Sequence, residues 1–129
     1  MSNIAILCVD DEKLILESLK EQLQRNLGNQ YLYEAAESAE EAWEILEELH
    51  AEQVKVLIIV SDWLMPDMKG DEFLIRVHQR FPEIVTVMLT GQADEAAIER
   101  VKKEANLFCC LNKPWTEDEL THVIRSSLK

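Results

Sequence analysis

The chain has 129 residues, 47% of them hydrophobic and 29% charged, which is the composition of one soluble globular domain with a single core. Thirteen basic against twenty-five acidic side chains leave a net charge of −12. A surface of that sign repels phosphate backbones and anionic lipid, which argues against nucleic-acid or membrane binding by this domain.

No apolar run approaches the roughly 20 residues of a membrane span. No basic stretch precedes an apolar one at the N-terminus, so a secretion signal is not expected. Cys8, Cys109 and Cys110 are odd in number, lie in apolar runs and lack metal-ligand spacing. Buried, reduced thiols in a cytoplasmic protein are the expectation. His50, His78 and His122 fall singly on predicted helices or their ends and suggest neither a ligand set nor a catalytic group.

Ile4 to Val9 is a continuous apolar run that ends in Asp10-Asp11-Glu12, a first strand with acid at its end. Ile15, Leu19, Leu23 and Leu27 recur at steps of four and predict a helix that Gly28-Asn29 stops. Tyr31 to Ala36 is a short, weaker strand. Ser38 with Glu41 forms a capping box for a second helix, whose buried face is Ala42, Ile45, Leu46 and Leu49. Val54 to Val60 is apolar except for Lys55, as expected of a parallel strand buried on both faces, and Asp62 comes where that run ends. Phe73, Leu74, Val77 and Phe81 mark a third helix, stopped before Pro82.

Ile84 to Leu89 predicts a fourth strand ending at Thr90-Gly91, and Ala97, Ile98 and Val101 a fourth helix. Leu107 to Leu111 is the fifth strand, ending at Asn112-Lys113-Pro114. Thr116 and Glu119 form a second capping box, ahead of a fifth helix facing inward through Leu120, Val123, Ile124 and Leu128. Five strand–helix units in strict alternation predict an α/β fold with helices on both faces of a parallel sheet. Right-handed crossovers at this length favour the flavodoxin-like doubly wound order 2-1-3-4-5. There is no repeat, low-complexity tract or linker, so residues 1–129 read as a single domain.

In that order, strands one, three, four and five are neighbours, and their carboxyl ends carry Asp10 and Asp11, Asp62, Thr90, and Lys113. Open α/β sheets bind ligands at this edge. Three carboxylates packed together repel unless a cation sits among them, and a hard divalent ion with oxygen ligands, Mg2+, fits such a set. The Thr90 hydroxyl and Lys113 then stand as donors for an anion held at the metal. Together these groups suggest phosphoryl transfer onto Asp62. Taken singly, Asp10 and Asp11 could cap a helix, Thr90 could sit in a turn and Lys113 could be a solvated charge. The convergence of all four strand ends favours the chemical reading.

The motifs Val9-Asp10-Asp11, Asp62-Trp63-Leu64-Met65-Pro66-Asp67-Met68-Lys69-Gly70, Leu89-Thr90-Gly91 and Asn112-Lys113-Pro114-Trp115 resemble those of the receiver domain of two-component response regulators, over essentially the full length. The resemblance implies that Asp62 is the phosphoacceptor, taking its phosphoryl group from a histidine kinase or a phosphotransfer protein. It implies Mg2+ bound by Asp11 directly, by Asp10 often through water, by Asp62 and by the backbone carbonyl of Leu64. Thr90 matches the hydroxyl that swings toward the phosphoryl group, and Lys113 the side chain that pairs with it. A cis peptide is implied at Lys113-Pro114.

Two departures stand out. Receivers usually place a Tyr or Phe three residues before the Lys as a switch, and here that residue is Cys110. Phe108 shares its strand parity but lies roughly 6.6 Å away along the strand. The two positions flanking the hydrolytic water in this family are Leu64, which cannot position water, and Gln92, which can hydrogen bond to it. An aspartate-based phosphatase would commonly need an acid/base carboxylate at the place of Leu64, so a signalling switch is favoured over an enzyme acting on other molecules. A docking-only pseudo-receiver would have lost an acidic or Lys position, and none is lost. Few residues follow the fifth helix, so the output is expected through protein contacts, through an unknown effector or fused output domain, or through a homodimer on the face formed by helix four, strand five and helix five.

Overall fold

The computed structural model describes residues 3–91 and 95–128. Five strands, β1 (Ile4–Val9), β2 (Leu32–Ala36), β3 (Lys55–Asp62), β4 (Val85–Thr90) and β5 (Leu107–Asn112), form one parallel sheet in the order β2-β1-β3-β4-β5. Five helices alternate with them: α1 (Lys13–Leu27), α2 (Ala39–Ala51), α3 (Gly70–Arg80), α4 (Glu95–Glu104) and α5 (Glu117–Ser127). This is the flavodoxin-like doubly wound fold that the alternation predicts. Boundaries differ by a residue or so. Tyr31 precedes β2, and β3 and β4 run on to take in Asp62 and Thr90 as their last residues.

The sheet separates two cores, which is why its central strands are apolar at nearly every position. On one face α1 and α5 bury Leu16, Leu19, Leu23, Leu120 and Ile124 against Ile6, Cys8, Ile58 and Val60. On the other, α2, α3 and α4 bury Leu46, Phe73, Leu74 and Val101 against Leu7, Val9, Ile59 and Met88. Cys8 is fully buried, and burial pushes its thiol up to about 12. Cys109 and Cys110 are only half-buried, because β5 is an edge strand, and they face opposite cores. All three thiols are free.

Gly28 ends α1 at a φ of 80°, and both predicted caps are present in altered proportion. Thr116 and Glu119 make the full reciprocal box at α5. At α2 the Ser38 hydroxyl accepts from the Glu41 amide, but the Glu41 carboxylate accepts from Glu37 rather than from Ser38.

β5 is irregular at Phe108. Thr86 pairs with Leu107 and Val87 with Cys109, so β5 carries one extra residue and Phe108 has no partner opposite. Such a bulge breaks strict alternation. Leu107 and Cys110, three residues apart, therefore pack on the same core, and Phe108 is 46% exposed.

Candidate functional site

The ends of β1, β3, β4 and β5 meet around one cation. Asp10 follows the last residue of β1, where its amide still donates to the Ala36 carbonyl at 3.1 Å. Its carboxylate is fully buried; Oδ1 accepts from the Glu12 amide at 2.9 Å, and Oδ2 lies 2.8 Å from Lys113 Nζ. Asp62 closes β3, is 6% exposed, and places Oδ1 3.1 Å from the same ammonium. Asp11 is exposed beside them. One carboxylate oxygen from each of Asp10, Asp11 and Asp62 lies within 4.8 Å of the others.

Thr90 ends β4, is 5% exposed, and accepts the Lys113 amide on its carbonyl at 3.0 Å. The backbone of Lys113 is thus tied to β4 while its side chain reaches across to β3 and β1. The Lys113-Pro114 peptide is cis. Asp11, Asp62, Leu64, Thr90 and Lys113 line a cleft of about 510 Å³, with Leu64 54% exposed at the rim.

Burial, reinforced by the charge of Asp10, holds the Asp62 carboxyl above the ordinary carboxylate range despite the opposing pull of Lys113. For Lys113, burial works against its charge, but hydrogen bonds to Asp10 and Asp62 outweigh it and the net shift is upward. The site therefore holds a firmly protonated lysine among more negative charge than one lysine neutralises. An oxygen-rich set of that kind suits a hard divalent cation, and the three carboxylates fit Mg2+.

Several contributors were not singled out from sequence. Gly70 is the first residue of α3 and lies against the backbone of Asp62 and Trp63. A Cβ there would collide with the Asp62 carbonyl oxygen. The Gly70 amide also donates to Trp63 O at 2.6 Å, and Trp63 N donates to Leu89 O at 3.0 Å, so the chain on either side of the loop is fixed to the sheet. Ser61 Oγ donates to the Asp62 carbonyl at 3.0 Å. Of the two modulator positions, Cys110 is half-buried opposite Met88, two residues short of the level of Thr90. Gln92 lies outside the described residues.

Two outcomes follow from this geometry. Alanine normally stabilises a helix interior relative to glycine by about 1 kcal/mol. At Gly70 the collision reverses the sign, and Gly70→Ala should cost about 1–3 kcal/mol in urea unfolding; a neutral or stabilising result would contradict the close approach. For Asp62, a folded pKa above the unfolded one means that stability is fully present below the unfolded pKa and is lost as pH rises through the folded value. Asp62→Asn should therefore melt higher than wild type at neutral pH in chelator. That advantage should shrink as the pH falls toward about 4.

The family described as response regulator receiver domain matches residues 6–125. The hydrogenase transcriptional regulatory protein HoxA of Cupriavidus necator is 32% identical over 124 residues, covering 96% of this chain and 24% of that protein. The chain thus spans about a quarter of HoxA. A chemotaxis protein CheY homolog of Campylobacter jejuni is 32% identical over 126 residues, covering 95% of this chain and 91% of the relative. Among solved structures, the signal receiver domain of an HD domain-containing protein from Pseudomonas fluorescens superposes with a TM-score of 0.84 at 29% identity, over 99% of this chain and 95% of that one. With the acidic cluster and its lysine at the strand ends, these matches establish that the chain belongs to the receiver domains of response regulators, the phosphoacceptor modules of two-component systems.

Proposed function

We propose that Asp62 is the phosphoacceptor of this receiver, and that Asp10, Asp11, Asp62 and the Leu64 carbonyl hold Mg2+. Thr90 and Lys113 take the oxygens of the incoming phosphoryl group. The observation that carries this reading is the single Lys113 ammonium, 2.8 Å from Asp10 and 3.1 Å from Asp62, at the mouth of a cleft that admits a small anion.

The donor is a phosphohistidine on a histidine kinase or a phosphotransfer protein. An Asp62 carboxylate oxygen attacks phosphorus in line, forming the O–P bond of an acyl phosphate as the P–N bond breaks and its electron pair returns to the donor imidazole. Bound Mg2+ would neutralise charge on the transferring oxygens. Lys113 would leave Asp62 for a phosphoryl oxygen, keeping a charge-assisted hydrogen bond throughout, and the Thr90 hydroxyl would donate to another. The chain catalyses its own phosphorylation and dephosphorylation and passes the change on as altered protein contacts. Residues 1–129 act as one receiver unit in the cytoplasm, with an effector or a fused output domain, or with a second copy through the face of α4, β5 and α5.

Acetyl phosphate or beryllofluoride with Mg2+ should modify or bind wild type and leave Asp62→Asn untouched, read by intact mass and by 19F resonance. Labelling of the Asn variant at wild-type stoichiometry would move the acceptor to another carboxylate. Trp63 adjoins the site, so its fluorescence should report Mg2+ saturably, and Asp11→Ala should weaken that titration by about tenfold or more.

The switch generates a second expectation. Cys110 is too small to fill the place of an inward-moving ring, and Phe108 stands on the bulge, half in solvent. Beryllofluoride should shift the resonances of Thr90, Gly91 and Glu95 to Ala97 strongly and those of Phe108 to Leu111 weakly. Equally large shifts along β5 and α5 would show that Cys110 relays the change through its own packing.

A further inference from the structure

The loop between Asp62 and Gly70 is held at its tip by a residue that the phosphoryl chemistry does not use. Asp67 turns away from the cleft, toward α2. Its Oδ1 accepts from the Ala39 amide at 3.2 Å and its Oδ2 from the Glu40 amide at 2.9 Å. These are the first two amides of α2, and a helix leaves its first four amides without intrahelical partners. Ser38 caps the third amide, its Oγ accepting from Glu41 at 3.1 Å, and its carbonyl takes the first regular intrahelical bond, from Ala42 at 3.0 Å. The N-terminus of α2 is thus capped jointly, one amide by its own serine and two by a carboxylate reaching over from the neighbouring loop, 28 residues away in sequence.

The loop is fixed to the sheet through Trp63 and Gly70 and Met65 is buried in the core, but Leu64, Pro66, Asp67 and Lys69 are exposed. Leu64, whose carbonyl is the proposed third metal ligand, is three residues from Asp67. A carbonyl in an exposed loop is a useful ligand only if its direction is fixed before the ion arrives, because ordering it on binding costs affinity.

We infer that Asp67 is a positioning residue for the metal site: by seating its carboxylate on the first two amides of α2 it locks the loop so that the Leu64 carbonyl is preset for the cation. The inference deepens the proposed phosphoacceptor site and rests on that reading for the identity of the ligand, while the locking of the loop stands on the hydrogen bonds alone. Asp67 does not touch the ion or the phosphoryl group. It acts through the loop backbone and exploits the preference of a helix N-terminus for negative charge.

The test compares the two halves of one cap. Asp67→Ala and Ser38→Ala each remove acceptors from the same end of α2, but only the first releases the loop. Asp67→Ala should weaken Mg2+ binding, read by Trp63 fluorescence, by about three- to tenfold. Ser38→Ala should leave it within about twofold, and Asp67→Asn, which keeps one acceptor oxygen, should fall between. In chelator, amide 15N order parameters of Met65, residue 67 and Met68 should drop from about 0.85 toward 0.6 in Asp67→Ala and stay unchanged in Ser38→Ala. Equal weakening in Ser38→Ala would make the effect fraying of α2 and overturn the inference, as would a rigid loop in Asp67→Ala. If wild type does not bind Mg2+, the metal reading fails, and with it the stated purpose of the lock; the order parameters then decide separately whether the lock exists.

Discussion

The ion pair of Lys113 with Asp10 and Asp62 is the constraint on which the carboxyl edge of this sheet depends. Two buried carboxylates in direct reach of one ammonium, with a third beside them, leave the cluster net negative. Burying such charge is costly unless it is paired and hydrogen-bonded. The fold meets that cost with the Glu12 amide on Asp10 and the lysine between strands. It does not meet it completely, since Asp62 still ionises less readily than a free carboxylate. Burial, together with the charge of Asp10, leaves Asp62 underneutralised and the edge suited to an added cation, and stability and function pull against each other at the same atoms.

The parallel sheet converts this pairing into a device with fixed spacing. Asp62 stands opposite Leu89, Thr90 opposite Asn112, and Lys113 is hydrogen-bonded to Thr90 through the backbone. The side chain that senses charge at Asp62 is therefore mounted one residue beyond the strand pairing of the residue proposed to move. Gly70 fixes the other side, because only a residue without a Cβ lets the start of α3 lie on the Asp62 carbonyl. Asp62 is clamped from both ends of its loop, so a group added to it cannot be absorbed by the Asp62 backbone shifting.

How much of this was legible in the sequence follows from how far each feature depends on neighbours in the chain. The strands were plain because a parallel sheet covered on both faces demands continuous apolar runs, and the strand order followed from alternation and handedness. The acidic pair, Asp62, Thr90 and Lys113 were legible because each terminates such a run. The bulge at Phe108 was not, since Leu107 to Leu111 is apolar at every position and gives no local sign of where pairing slips. The partner of Glu41, the collision at Gly70 and the reach of Asp67 to α2 were equally hidden. Each is decided by tertiary placement of a segment whose own sequence is compatible with several partners.

The position of α4 shows what the missing aromatic switch changes. α4 packs against α3, and Arg100 on α4 lies 3.5 Å from Asp71, a buried carboxylate immediately after Gly70. It is also joined to Thr90 along the chain that follows β4. A change at the proposed acceptor Asp62 would thus have a packed route to α4 through Gly70 and Asp71 at the start of α3. β5 is reached through the Lys113 backbone and the small Cys110 side chain. Displacement passes through packed contacts in proportion to what it must push aside, because a dense interior transmits strain while a small side chain yields. With the ring absent and Phe108 half in solvent on its bulge, the packing of α4 on α3 is in keeping with the proposed weak response of β5.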